Sequence, residues 1–424
     1  MADVDAASSG KGAAASDAIS IVQRGNLKSL ESTLRKQWRL GQNIVLCWSA
    51  TENGILVLLV PHYFLGNYSA AGESVDYNSN EAFIRGLISG RRRRDRDEFF
   101  DIANRLGVSA TFIKLSETLV EEEAVLNSVE QIIKRYGISY VSGRAVLLFD
   151  IAEFSLYTPF EQASQLNSLS YSMNSAYNKL LTRDIEINFA RTTTGDGYYV
   201  WNRDVGPGAN EDLLYFLLLV IADNTMAREA SKGNTVPLIR SAYHIGSHYE
   251  LYQAEGVNPT VFSYIVGDVT IELARMVDLA QPGQIYVGDF QVVKPPPMGS
   301  KDRTPRPVDT VEFLGQCSEQ CSKLLGIQFS GETVTSLSCH PSQAQRDGKE
   351  VARRFRLTDK HGISRGAYNL EIDIETEGGR KRVLGLAGDE LTGKAGADGD
   401  DADIVDAESV DILKKHAQKT VSEE

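Results

Sequence analysis

The sequence predicts an α+β fold for the central part of the chain. Between residues 144 and 290, short apolar segments of strand length alternate with longer segments of helical period. One pair of strands, at about 185–201, is separated by a turn in which Gly195 and Gly197 flank Asp196, which is typical of a β-hairpin. Because the strands of a hairpin are antiparallel, the pattern favours an α+β sandwich over a doubly wound parallel sheet.

The central elements are expected in the order strand, long helix, hairpin, helix, two strands, short helix and closing strand. The apolar residues of the long helix recur at helical spacing: Leu166, Leu169, Met173, Tyr177 and Leu180. A second helix is expected at 212–230 and a short one at 272–280, where Pro282-Gly283 ends it. Strands are expected at four further positions: 146–151, 238–245, 264–269 and 284–287.

The residues before this region are expected to contain a disordered start and a separate module. Residues 1–20 are rich in Ala, Ser and Gly, are predicted to be disordered, and lack the pattern of a signal peptide. Residues 21–115 are predicted to form an N-terminal helical or mixed module of unknown fold. Its first helix carries apolar residues at helical spacing: Leu27, Leu30, Leu34 and Trp38.

Three stretches between residues 44 and 143 each allow two interpretations. Residues 44–65 are apolar, but Glu52 interrupts them, so two strands joined at Asn53-Gly54 are favoured over a membrane span. The arginines at 91–94 indicate either a basic patch for phosphate or anionic lipid, or a solvated helix end. Residues 116–143 are predicted to be a connecting helix, which either packs on its own domain or pairs with a second copy.

The C-terminal third is expected to be less regular. A Pro-rich linker is predicted at 293–309, a small β-rich region at 310–387 and an acidic flexible tail at 388–424. Within the β-rich region, cysteine and histidine side chains invite a zinc interpretation, but their spacing fits no standard zinc site: Cys317, Cys321, Cys339 and His340.

Composition excludes some classes of function. The net charge of −13 argues against nucleic-acid binding by the whole chain. Four irregularly spaced cysteines indicate a reducing, cytoplasmic setting rather than a disulfide framework. No membrane span is expected.

Two acidic residues dominate the chemistry that the sequence allows. Asp150 follows the apolar strand Val146-Leu147-Leu148-Phe149, and Asp196 lies at the tip of the predicted hairpin. Two carboxylates held at the ends of adjacent strands repel each other unless a cation neutralises them. The sequence favours two divalent cations, Mg²⁺ or Mn²⁺, as the neutralising charge. The carbonyl of Ile151 is a further candidate ligand. The alternative for either aspartate alone is ordinary turn chemistry.

Residues 144–292 resemble the catalytic domain of the class III (adenylate and guanylate) nucleotide cyclases. The resemblance lies in five segments that occur in the family's order: Phe149-Asp150-Ile151-Ala152-Glu153-Phe154-Ser155, Thr194-Gly195-Asp196-Gly197-Tyr198-Tyr199, 241–247, 267–276 and Gln284-Ile285-Tyr286-Val287. The resemblance covers about a third of the chain. In the first segment, Glu153 stands where the family usually has Gly, and Ser155 where it has Thr.

The resemblance implies a ferredoxin-like domain and a head-to-tail homodimer with shared active sites. One subunit would hold two divalent cations through Asp150, Ile151 and Asp196, and Phe149 is expected at the substrate. The other subunit would supply Arg275, whose guanidinium would stabilise charge on the reacting phosphate. The reaction implied is attack of the ribose 3′-oxygen on the α-phosphate of a nucleoside triphosphate, and a separate effector protein would bind the cyclic product.

Three further positions depart from the family pattern. Ile271 replaces an asparagine four residues before Arg275, and Ile cannot hydrogen-bond a ribose. Thr192 and Tyr264 replace the lysine and its acidic or polar partner with which purine cyclases recognise the base. These departures leave three hypotheses. The favoured one is a cyclase for a smaller base, similar to the bacterial Pycsar phage-defence cyclases that make cyclic UMP or cyclic CMP. The others are an adenylate or guanylate cyclase with an unusual pocket, and a non-catalytic dimerisation or sensor protein.

Overall fold

The computed structural model of the chain describes residues 19–70, 74–204, 206–255, 260–294, 304–346, 349–359, 361–388, 390–391 and 402–406. These residues belong to two compact units. The N-terminal unit lies within Met1–Val141 and His248–Val266, and the C-terminal unit within Ser142–Ser247 and Gly267–Glu424. Of the segment predicted to be disordered, 1–20, residues 1–18 lie outside the described residues, as does most of the predicted acidic tail.

The N-terminal unit contains five helices and a small antiparallel sheet within its described residues before Val141. The helices are α1 (Ile21–Trp38), α2 (Phe64–Ala70), α3 (Ser74–Ile88), α4 (Arg96–Leu106) and α5 (Glu123–Arg135). The strands, in sheet order, are β1 (Asn43–Thr51), β2 (Gly54–Pro61) and β3 (Thr111–Lys114). The helix predicted from Leu30, Leu34 and Trp38 is confirmed as α1, which buries these three side chains in the core of the unit.

The hairpin predicted at Asn53-Gly54 is also confirmed. Thr51 pairs with Gly54 across a two-residue turn, so the apolar stretch forms β1 and β2. A side chain at position 54 would lie 2.1 Å from the Ile113 carbonyl of β3, which explains the glycine. No helix in the described part of the chain is both long and apolar enough to span a membrane.

The arginine run forms neither a uniform basic patch nor a helix end. Arg92 is completely buried, and its Nη1 atom donates a hydrogen bond to the Leu46 carbonyl at 3.0 Å. Arg94 forms an ion pair with Glu98 at 3.1 Å, and helix α4 begins only after Asp95, whose side chain caps it. The run is therefore an extended segment that one buried arginine anchors to the unit.

The connecting segment differs in length from its prediction. Helix α5 spans Glu123–Arg135 rather than 116–143, because strand β4 (Ile138–Ile151) begins shortly after it. Its apolar residues Val125, Val129 and Ile133 are completely buried in the core of the N-terminal unit. This packing is what a helix that stabilises its own domain requires.

The C-terminal unit is built on a long sheet that starts from β4. It continues with α6 (Pro159–Leu181), β5 (Phe189–Thr193), β6 (Gly197–Asn202), α7 (Ala209–Ala230) and the first part of β7 (Ile239–Glu255). The rest of β7, from His248, and strand β8 (Thr260–Val266) belong to the N-terminal unit. The C-terminal unit resumes with α8 (Asp268–Leu279), β9 (Ile285–Gly288), β10 (Gln291–Lys294), β11 (Arg306–Asp309) and α9 (Thr310–Gln320). The remaining strands are β12 (Gln328–Phe329), β13 (Glu332–Pro341), β14 (Gln343–Arg346), β15 (Lys349–Ala352), β16 (Arg354–Thr358), β17 (Ser364–Thr376), β18 (Lys381–Leu384) and β19 (Ala402–Asp406).

The predicted α+β class is confirmed by the pairing of these strands. The main path of the sheet runs β12-β13-β17-β9-β7-β4-β6-β5. The β4–β6 and β5–β6 pairs are antiparallel, whereas β7 and β9 are parallel. Helices α6 and α7 pack in the core beneath the sheet, and α7 buries every residue from 213 to 222. Helix α6 begins with a capping box, in which the side chains of Thr158 and Glu161 each hydrogen-bond the backbone of the other. Pro159 follows in the first turn, where a proline is tolerated.

The region predicted to be β-rich, 310–387, contributes strands that extend this sheet. Strand β17 pairs with β9 in antiparallel register, with Tyr368 opposite Val287. Phe313 and Cys317 of α9 lie in the same core as the central helices. An unpaired β9 would leave a row of exposed backbone groups, which pairing with β17 satisfies. In the predicted linker, β10 and β11 pair with each other, and residues 295–303 lie outside the described ranges.

The cysteines of the C-terminal unit are core residues. Cys317, Cys321 and Cys339 are free and buried, and all three lie in the hydrophobic core. The ring of His340 instead contacts Asp373, with 2.8 Å between Nε2 and Oδ2. The four side chains considered for a zinc site therefore pack in the core, in the case of the cysteines, or pair with a carboxylate, in the case of His340.

The buried side chain of His248 should make the stability of the N-terminal unit depend on pH. Its side chain is 1% exposed, and neither ring nitrogen has a hydrogen-bond partner among the described residues. Burial lowers the pKa of His248 from 6.5 to about 4, opposed by the Glu250 carboxylate. Because the folded state favours the neutral ring, the contribution of His248 to the free energy of unfolding is complete above pH 6.5. This contribution is lost as the pH falls towards 4, by up to about 3 kcal/mol.

We therefore expect the thermal midpoint to fall between pH 6.5 and 4, and to fall less in His248→Phe. Thermal unfolding followed by circular dichroism across this range measures both profiles. Replacement of the exposed His62 by glutamine is the matched control and should leave the profile of the natural chain unchanged. Identical profiles for His248→Phe and the natural chain would show that His248 does not titrate on unfolding.

Candidate active site

The structure brings Asp150 and Asp196 together at one edge of the central sheet. Strands β4 and β6 pair so that Asp150 is opposite Gly197, next to Asp196 in the chain. The backbone N–H of Ile151 donates a hydrogen bond to the carbonyl of Asp196 at 3.0 Å. The two aspartates thus occupy adjacent strand ends, the arrangement that the sequence predicts.

The hairpin tip holds Asp196 in place through glycine and hydroxyl chemistry. Gly195 has a φ of +105°, a conformation that residues with a side chain rarely adopt. A side chain at Gly197 would lie 1.9 Å from the Phe149 carbonyl, so only glycine allows this approach. The hydroxyl of Thr194 donates to Asp196 Oδ1 at 3.1 Å. The turn therefore presents a defined carboxylate beside Asp150.

Arg240 is a residue of this site that the sequence did not reveal. It lies at the start of β7, which neighbours β4, and its Nε atom donates to Asp150 Oδ2 at 2.9 Å. Its Nη2 atom contacts the same oxygen. Both side chains are mostly buried, with 17% and 12% of their surface exposed for Arg240 and Asp150. The pairing depends on the order of strands in the sheet, which no local pattern encodes.

The electrostatics of Asp150 favour a further positive charge. Burial is the main cause that raises the pKa of this carboxyl above its usual value. Arg240 opposes the shift, whereas the charges of Asp196 and Asp278 add to it. A cation between the two aspartates would relieve both the loss of hydration and the repulsion.

Divalent cations fit this donor set. Carboxylate oxygens are the ligands that Mg²⁺ and Mn²⁺ prefer, and both aspartates offer them. Within the described residues, no group of three or more His, Cys, Asp or Glu side chains could hold a metal ion. Phosphate oxygens, water or the carbonyl of Ile151 would therefore have to complete the coordination.

Phe149 differs from its predicted place at the substrate. Its side chain is completely buried in the hydrophobic core, together with Leu147 and Ile151. Successive side chains of a strand point to opposite faces, so this alternate set of β4 faces the helices. A substrate at the strand end would meet Asp150 and not the ring of Phe149.

The three positions that depart from the family pattern lie in different surroundings. Thr192, on β5, pairs with Tyr199 of β6 and is half-buried. Tyr264, on β8, belongs to the N-terminal unit, pairs with Leu251 and is also half-buried. Ile271, on α8, is 51% exposed. The side chain of Ile271 therefore does not belong to the hydrophobic core of the unit.

Arg275 lies on α8 and contacts two carboxylates of its own chain. Its Nε atom is 3.4 Å from Asp359 Oδ2, and its Nη1 atom is 3.6 Å from Asp278 Oδ2. The guanidinium remains partly exposed at the surface of the C-terminal unit. Asp359 follows β16, far from α8 in the sequence, which is why residue patterns did not indicate this contact.

Comparison with known proteins gives structural likeness only. No protein-family model and no curated protein sequence matches the chain. The catalytic core of a rhodopsin-guanylyl cyclase with converted specificity, in complex with ATPalphaS, is 14% identical, covers 55% of this chain and 97% of its own, and has a TM-score of 0.31.

Two other solved structures show a similar level of likeness. The guanylate cyclase domain of RhGC from Catenaria anguillulae, in complex with GTP, is 14% identical, covers 54% of this chain and 97% of its own, and has a TM-score of 0.30. The adenylyl cyclase CyaB from P. aeruginosa is 13% identical, covers 41% of this chain and 94% of its own, and has a TM-score of 0.27. At these low values, function has to be inferred from the residues of the site.

Proposed function

We propose that this chain is a nucleotide cyclase, which converts a nucleoside triphosphate into a 3′,5′-cyclic nucleotide and pyrophosphate. The observation that carries the proposal is the placement of Asp150 and Asp196 at adjacent strand ends, joined by the hydrogen bond from Ile151. Two buried or half-buried carboxylates that share one edge suit a triphosphate with its divalent cations. The order of the five motif segments supports the same activity.

The residues of the site have separate roles in this proposal. Asp150 and Asp196 would hold two Mg²⁺ or Mn²⁺ ions, which would supply charge neutralisation and make the 3′-hydroxyl more acidic. Arg240 donates to Asp150 Oδ2, which places its guanidinium beside the carboxylates that would hold the ions and where it could meet a triphosphate. Arg275 from a second copy of the chain stabilises the charge that develops on the α-phosphate.

The proposed substrate is a pyrimidine nucleotide. Thr192 and Tyr264 stand where purine cyclases carry the base-recognition pair, and a tyrosine there leaves less room for a two-ring base. The product would be cyclic UMP or cyclic CMP, bound by a separate effector protein in antiviral defence, as in the Pycsar cyclases, which also depart from the purine-recognition pair. The alternative is a purine cyclase whose pocket uses other residues.

Product analysis tests the activity and the base together. Purified chain is incubated with Mn²⁺ and ATP, GTP, CTP or UTP separately, and cyclic products are identified by mass spectrometry. We expect one pyrimidine product to dominate and to disappear when EDTA removes the metal. Cyclic AMP or cyclic GMP as the main product would establish the purine alternative. No cyclic product from any of the four nucleotides would contradict the cyclase assignment.

A further inference from the structure

Arg275 is held by a carboxylate from a region that the family resemblance does not cover. Asp359 lies in the turn between β16 and β17, and its Oδ2 atom is 3.4 Å from Arg275 Nε. The resemblance ends at about residue 292. The contact therefore joins the proposed catalytic arginine to the strands that extend the sheet at its C-terminal end.

Asp359 is itself fixed by the turn in which it lies. Its Oδ1 atom accepts hydrogen bonds from the backbone N–H groups of His361 and Ile363, at 2.8 and 3.1 Å. Its Oδ2 atom accepts one from Arg365 Nη1 at 3.3 Å. Only 5% of the side chain is exposed. Bonds from an aspartate to the backbone ahead of it hold both the turn and the carboxylate in one conformation.

The same network returns to helix α8. Arg365 Nε lies 2.7 Å from Glu272 Oε2, and Glu272 is about one helical turn before Arg275. The charges therefore alternate along the path Glu272, Arg365, Asp359 and Arg275. Because both ends of the path lie on one helix, the hairpin and the helix hold each other in register.

The two carboxylates approach the guanidinium of Arg275 at different atoms. Asp359 engages Nε, and Asp278, which is 67% exposed, is the other carboxylate near the guanidinium, 3.6 Å from Nη1. A carboxylate on Nε orients the planar guanidinium while its terminal amino groups can still meet a phosphate.

We propose that Asp359 is the positioning residue of Arg275, so that the C-terminal β16–β17 hairpin is a functional part of the cyclase site. This inference rests on the proposed function. A free arginine side chain samples many rotamers, and ordering it in the transition state costs entropy. Fixing the guanidinium before the substrate arrives removes that cost from the chemical step. The C-terminal extension thereby contributes to catalysis without contacting the substrate.

Asp359→Asn is the informative variant. The amide oxygen can still accept both backbone hydrogen bonds, so the turn is kept, while the charge that orients Arg275 is lost. We expect kcat to fall about tenfold or more, with KM changed less than about twofold, and Asp359→Glu to restore part of the loss. Asp373→Asn is the matched control, because it removes a carboxylate from the same sheet that, among the described residues, pairs with His340 rather than with Arg275.

A double-variant cycle separates positioning from a merely structural effect. If Asp359 acts through Arg275, then Asp359→Asn lowers kcat in the natural chain but has no further effect in Arg275→Ala. An unchanged kcat in Asp359→Asn, or equal losses in both backgrounds, would overturn the inference while leaving the cyclase activity established. Absence of cyclic product from the natural chain would overturn the proposed function, and this inference with it.

Discussion

We expect Asp150→Asn and Asp196→Asn each to lower kcat for cyclic-nucleotide formation by about a thousandfold or more, which corresponds to about 4 kcal/mol in the transition state. Asparagine keeps the shape of the side chain but removes the negative charge that would hold a divalent cation. Because the two aspartates act as one unit at adjacent strand ends, the double variant should be little worse than either single one. Product formation measured by mass spectrometry gives the three rates.

The matched control for these variants is Asp223→Asn. Asp223 pairs with Lys179 at 2.7 Å, and their side chains are 13% and 18% exposed, almost the same as for Asp150 and Arg240. Breaking that pair should cost a similar amount of stability, seen as a lower thermal midpoint, but leave kcat nearly unchanged. A rate for Asp150→Asn or Asp196→Asn within about tenfold of the natural chain would contradict the two-metal assignment.

We expect Arg275→Ala to lower kcat by about a hundredfold or more and to leave KM nearly unchanged. The reason is that the Arg275 guanidinium would act on charge that develops only in the transition state. The proposed site takes its aspartates from one copy of the chain and its arginine from the other. Arg275→Ala co-expressed with Asp150→Asn should therefore recover activity. Half of the dimers are mixed and each has one intact site of two, so the expected level is about a quarter of the natural activity.

The oligomeric state and a second pairing of variants check this result. Light scattering should show a dimer at the assay concentration. Asp150→Asn co-expressed with Asp196→Asn is the matched control, because both substitutions affect the same half of each site and every mixed site stays incomplete. No recovery with Arg275→Ala would show that the arginine acts within its own chain, or does not act at all.

Local features were the ones that the sequence predicted well. The hairpin at Asn53-Gly54 and the Gly195-Asp196-Gly197 tip each follow from turn glycines close in the chain. The proximity of Asp150 and Asp196 also needed one strand pairing, which the hairpin and the apolar strand made predictable. Such signals depend on a few neighbouring residues, so a pattern can contain them.

Features set by long-range pairing were missed. The burial of Phe149 depends on which face of β4 meets the helices, and the place of residues 364–376 depends on their pairing with β9. Arg240 was missed because its contact requires β7 to lie beside β4. Each of these outcomes is decided by a sheet edge or face that several distant segments could have occupied.

The sequence by itself determined the acidic pair, the glycines that allow their approach and the family resemblance that suggests their chemistry. Only the tertiary structure decided which basic side chain pairs with Asp150 and which carboxylates contact Arg275. The physical reason is distance along the chain: helix and turn preferences act over a few residues, whereas the contacts from Arg240 to Asp150 and from Arg275 to Asp359 exist only after the strand order is set. The charge balance of the proposed site is therefore a property of the fold.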